Sequence, residues 1–81
     1  MIDRNALCPI IGRNVARFRV QKGLSQGALA QKVGLSRGQI NRIEQGHDEP
    51  RAAALFSLAD ALDVDADDLR RFSATSEKIS S

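Results

Sequence analysis

An apolar residue, then a capping residue, then a second apolar residue four positions after the cap occurs three times in this chain: Leu24-Ser25 with Leu29, Leu35-Ser36 with Ile40, and Val64-Asp65 with Leu69. Each instance encodes a helix start. The cap oxygen accepts from an amide that a first helical turn leaves without a partner, and the two apolar residues fix the angle at which the chain enters. Ser36 with Gln39 extends the second instance to a capping box, and Asp67 and Asp68 put negative charge at the positive end of the third. Periodicity supplies two more helices. Ile11, Val15 and Phe18 make one buried stripe between Pro9, just inside a start, and Gly23, just past an end. Leu55, Leu58, Ala59 and Leu62 make another between Pro50 and Asp63. No segment sustains the period-two alternation of a half-buried strand. The expected fold is all-α, with helices at 10–22, 26–33, 37–45, 51–62 and 66–72. An N-terminal arm, 1–9, precedes them, and a polar, uncapped tail, 73–81, is expected to fray.

Eighty-one residues allow one small core, and at this size oligomerisation is a common source of extra stability. No apolar run approaches the roughly 18 residues of a membrane span, and the first residues lack the apolar centre of a signal peptide, so a cytoplasmic location is expected. Cys8 is the single cysteine and has no internal disulfide partner; with the single His47 it falls short of the roughly four ligands of a structural zinc site. The run Asp63-Val64-Asp65-Ala66-Asp67-Asp68 superficially resembles a calcium loop, but Asp68 stands where the loop needs glycine and Ala74 where it needs glutamate. Ser25 and Ser36 are employed as caps, and His47 stands in the Gly46–Pro50 loop with no nucleophile suggested nearby. Neither an enzyme, a cofactor, a metal nor a small-molecule ligand is expected.

Gly34-Leu35-Ser36 is all that separates the second and third helices, and Gly34 falls where a helix ends in a left-handed conformation. So short a joint forces a sharp angle, and small Ala30 lets the two helices approach: this is helix-turn-helix geometry. On the third helix Ile40 and Ile43 point inward, so Gly38, Asn41, Arg42 and Gln45 point outward, with Arg37 at the exposed N-terminal end. Arginine matches the major-groove edge of guanine, and Asn or Gln that of adenine. Charge agrees. Between Gly12 and Ile43 lie Arg13, Arg17, Arg19, Lys22, Lys32, Arg37 and Arg42 without one Asp or Glu, whereas from Ala52 onward five Asp and one Glu outnumber Arg70, Arg71 and Lys78. A polyanion belongs at the front half.

Residues 11–69 resemble the helix-turn-helix family of lambdoid phage repressors and Cro proteins, the Xre/Cro-like regulators. The likeness is densest over Gln26-Gly27-Ala28-Leu29-Ala30-Gln31-Lys32-Val33-Gly34-Leu35-Ser36, over Ile40-Asn41-Arg42-Ile43-Glu44-Gln45-Gly46, and over Pro50 and Leu55 through Leu69. The resemblance implies a five-helix lambda-repressor-like DNA-binding domain. It implies that Arg37, Gln39, Asn41 and Arg42 line the helix that reads bases, and that Gln26 and the free amides beside it hold a phosphate. Arg13, Arg17 and Lys32 are candidate phosphate partners, and Gln45 suits either role. Gly38 departs from the pattern, standing where the family usually presents a reading side chain; Gly27 repeats it in the same frame one helix earlier. Glu44 is turned toward the core and needs a partner, for which Arg19, at the edge of the first helix's stripe, is positioned. The family's pattern pairs the same two places, and an ion pair there ties the first helix to the reading helix.

The function expected is that of a sequence-specific regulator of transcription, most simply a repressor, with two copies on a palindromic double-stranded site. Phe56, Leu69 and Phe72 are the candidates for the dimer contact, unless they simply close the monomer core. Restriction-modification controller proteins and Cro-like repressors share this size and architecture. The alternative is an antitoxin-like protein-binding module whose tail orders on a partner.

Overall fold

The computed structural model of the protein describes residues 4–71, with side chains from residue 9 onward. It contains five helices in order: α1 (Arg4–Gln21), α2 (Gln26–Val33), α3 (Arg37–Glu44), α4 (Ala52–Leu62) and α5 (Ala66–Arg70). Among the described residues there is no strand, and no helix is long and apolar enough to cross a membrane.

The helix starts are built as their sequences direct. The Ser25 hydroxyl accepts from the Ala28 amide at 3.0 Å. Ser36 accepts from the Gln39 amide at 3.0 Å while the Gln39 side chain accepts from the Ser36 amide at 2.8 Å, closing the capping box. At the start of α5 the Asp65 amide donates to the Asp68 carboxylate at 3.1 Å. Between α2 and α3, Gly34 takes φ 74°, and the Leu35 amide returns to the Ala30 carbonyl at 3.0 Å. A side chain at Gly34 would strain that reversal, which is what sets α3 at an angle to α2.

The core is one cluster to which every helix contributes: Ile11 and Val15 from α1, Leu29 and Ala30 from α2, Ile40 and Ile43 from α3, Leu55, Leu58, Ala59 and Leu62 from α4, and Leu69 from α5. Leu69 is therefore a core residue rather than a dimer contact. Phe56 is 63% exposed; Phe72 lies outside the described residues, as do the tail 73–81 and the Cys8 side chain.

One expected boundary is well off. Residues 4–9, expected as part of an arm, are helical, and Pro9 lies inside α1 rather than at its start. Proline lacks the N–H that would bond the carbonyl four residues back, so near a helix start it removes one bond without ending the helix. What holds this turn is packing against the turn after α3, where a Cβ on Gly46 would come within 3.2 Å of the Pro9 Cα. Elsewhere the shifts are small: Gln45 and Arg51 are caps rather than helical residues, and α5 stops at Arg70.

Candidate nucleic-acid interface

The orientation of α3 is fixed from behind by α1. Arg19 meets Glu44 edge to edge, Nε to Oε2 at 2.6 Å and Nη2 to Oε1 at 3.1 Å, and its remaining terminal nitrogen donates to the Leu24 carbonyl at 2.7 Å. With side chains only 16% and 7% exposed, this two-pronged pair is largely withdrawn from water, where geometry of this quality is what offsets the cost of desolvation. Nearer the start of α1 the contact with α3 is tighter still. A Cβ on Gly12 would lie 2.2 Å from the Ile43 carbonyl oxygen and 2.8 Å from that of Glu44, so the backbones of α1 and α3 touch through a missing side chain.

Gln26 braces α3 from the other side. Its Nε2 donates to Glu44 Oε1 at 3.0 Å and to Asn41 Oδ1 at 3.3 Å, and Asn41 Oδ1 also accepts from Gln45 Nε2 at 3.3 Å. These polar side chains therefore form a chain of hydrogen bonds along the edge where α2 meets α3. Arg37, Gly38, Gln39, Arg42 and Gln45 are exposed, and Asn41 is half-buried between them and Gln26. Arg37, Gly38, Asn41 and Gln26 line one shallow notch at the N-terminal ends of the two helices.

The arrangement is a capped helix held on two sides, with an outer edge of Arg, Gln and Asn and no acid among the exposed residues of α3. Arg13 and Arg17 are exposed on α1; Arg17 stacks over the Phe18 ring at 4.5 Å and donates to Asn14 Oδ1 at 3.5 Å. A helix-turn-helix family model matches residues 15–69. The chain belongs to the helix-turn-helix family. It is thus a transcriptional regulator with the helix-turn-helix DNA-binding fold, not an enzyme. It is 38% identical over 60 residues to the Bacillus subtilis HTH-type transcriptional regulator YazB, covering 74% of this chain and 87% of that one. Among solved structures it is similar to the restriction-modification controller protein C.AhdI from Aeromonas hydrophila, with 33% identity, a TM-score of 0.75, and coverage of 79% of this chain and 97% of that one. It is also similar to the P22 c2 repressor in complex with a synthetic operator, with 29% identity, a TM-score of 0.74, and coverage of 76% and 94%.

Within this helix-turn-helix domain one expected site residue is set apart. Lys32 lies at the far end of α2, roughly 9 Å along the axis from Gln26 at the usual rise per residue. It lines a different groove, with Lys22, Ser57, Asp60 and Asp63. There Lys22 pairs with Asp63, whose carboxyl is held below its ordinary value first by the hydrogen bond from Lys22 and then by its charge, with a further contribution from Lys32.

Three residues escaped the sequence reading. Gly12 is the point of α1–α3 contact, and nothing local announces it. Asn14, only 1% exposed, sends its amide to the carbonyls of Leu69 and Arg71, each at 2.8 Å, and so ties the end of α5 to α1. A polar residue three after Ile11 and four before Phe18, on the buried stripe, was the available signal. Asp48 meets Arg42, Oδ2 to Nε at 2.9 Å and Oδ1 to Nη2 at 3.1 Å. That hydrogen bond, more than the attraction of Arg42 and His47, holds the Asp48 carboxyl below its ordinary value.

Proposed function

We propose that this helix-turn-helix protein is a sequence-specific repressor that acts in the cytoplasm, binding a palindromic double-stranded operator as a homodimer with α3 in the major groove. The observation that carries the reading is the exposed Arg37, Gly38, Gln39 and Arg42 edge on a helix whose other side is fixed by the Arg19–Glu44 pair. In this reading Arg37, Gln39, Asn41 and Arg42 face base edges. Gln39 approaches with its amide nitrogen, because its oxygen is committed to the Ser36 amide. Arg13, Arg17, Gln26 and Gln45 serve the phosphates, and Lys32, across the domain, contributes at most to the general field. A single α3 reads only a few base pairs, so two copies related by a two-fold axis, with reading helices about 34 Å apart, supply the length an operator needs. The similar P22 c2 repressor is solved in complex with a synthetic operator, which supports a DNA-binding role for this chain.

Selection from a random DNA library at fixed salt tests this directly. The expected product is a palindrome with half-site centres about one helical turn apart. Binding that fails to discriminate among sequences at low and moderate salt would overturn it.

A further inference from the structure

The Arg42–Asp48 contact is more specific than a surface ion pair needs to be. Asp48 takes the side-on edge of the guanidinium, Nε and Nη2. That leaves both N–H groups of Nη1 and the second of Nη2, the end-on pair that matches the O6 and N7 acceptors of guanine. The carboxylate is itself held in place by the residue it holds: the amides of His47 and Asp48 both return to the Arg42 carbonyl, at 2.9 and 3.4 Å. Asp48 is also an acid placed beside the basic edge of α3, where a negative charge is unfavourable for any contact with phosphate.

We propose that Asp48 is a positioning residue for base recognition: it fixes the Arg42 guanidinium with its guanine-matching edge outward, and so makes Arg42 a selective reader rather than a general phosphate contact. This rests on the proposed DNA-reading role of α3. Without Asp48, the long Arg42 side chain is free to turn to the nearest phosphate, and a repulsive charge is removed from the interface. Binding to unrelated DNA then strengthens while choice of base weakens. The two effects have opposite signs. A merely structural role weakens binding to all DNA, and a merely electrostatic role strengthens binding to all DNA alike.

The test compares the unsubstituted protein with Asp48→Ala, Arg42→Ala, the double variant, and Glu49→Ala as a neighbouring change of equal charge, each first checked for an unchanged thermal transition. Library selection with Arg42→Ala identifies the base pair that Arg42 reads. At that pair Asp48→Ala is expected to lower discrimination about tenfold while raising affinity for non-cognate duplex. It is expected to add no further loss of discrimination in the Arg42→Ala background, and Glu49→Ala is expected to leave the preference intact. If the unsubstituted protein shows no base preference, the DNA-reading role of α3 fails and this proposal with it. If it selects a base through Arg42 and Asp48→Ala keeps that selection, or changes all affinities in one direction, this proposal alone is overturned.

Discussion

Helices α2 and α3 each run eight residues from a serine cap through a glycine at the second helical position, and an added Cβ at either glycine would meet nothing nearer than the cap hydroxyl, at 3.9 Å. Their starts are interchangeable in local chemistry. Their surroundings differ. In α2 the residue after the cap, Gln26, is turned against Glu44 and Asn41, and the helix exposes only Gln31 and Lys32 at its far end. In α3 the residue after the cap, Arg37, is exposed, and so are Gly38, Gln39 and Arg42. The same start thus serves a support in one case and a reading surface in the other. The distinction comes from which sides the rest of the fold covers, not from the helix itself.

The ion pair behind α3 is the place to upset this division most. Arg19→Ala leaves Glu44 buried, with Gln26 as its remaining side-chain donor, and is expected to cost about 3–5 kcal/mol in urea unfolding. α2 offers no equivalent position, because its buried residues are Leu29 and Ala30.

The two caps provide a matched pair of smaller changes. Ser25→Ala and Ser36→Ala should each destabilise by about 1 kcal/mol. The latter should be the more costly, because it also opens the box with Gln39. Calorimetry on both variants measures the difference, and equal losses would remove the box from the account.

The two glycines separate stability from reading. Gly27→Ala and Gly38→Ala both fit the free protein and should each raise stability by up to about 0.4–1 kcal/mol. Gly38→Ala should nonetheless weaken cognate binding, because the methyl group stands on the exposed face of α3, while Gly27→Ala should weaken it less. Equal effects on DNA would mean that the backbones of both helices approach the duplex equally.

Titration should disturb the molecule least. The folded-state values of Asp48 and Asp63 lie below those of the unfolded chain. Their contribution is therefore complete above the ordinary carboxylate value of about 3.9 and is lost as the pH falls through the lower folded values. Both pairs are exposed, so the loss is small. Asp63→Asn should flatten the acid limb of a melting-temperature profile without touching DNA binding, since Lys22 and Asp63 lie on the groove away from α3.

Helix existence was legible because caps and stripes are local signals. Ser25, Ser36 and Gly34 each announced a boundary, and α2 was readable to the residue. The start of α1 was not, because proline ordinarily marks a first turn and here stands one turn later, while the contact that it makes, with Gly46, is 37 positions away in the chain. The outward set on α3 came from the 100° step, which is silent on how those side chains engage one another. Gln26 was expected at a phosphate and is also a brace, Gln39 is half-committed to a cap, and Arg42 has a partner in a loop whose path no helical periodicity describes. Lys32 counted toward a basic front only because charge tallied along a chain ignores where a helix points its far end.

Gly12 reaches beyond packing. Because α1 meets the Ile43 and Glu44 carbonyls backbone to backbone, α3 is seated by its inner side, away from the exposed Arg37, Gly38 and Arg42. Those positions are consequently free to be rewritten by drift or by design, yielding proteins that fold identically and recognise different addresses.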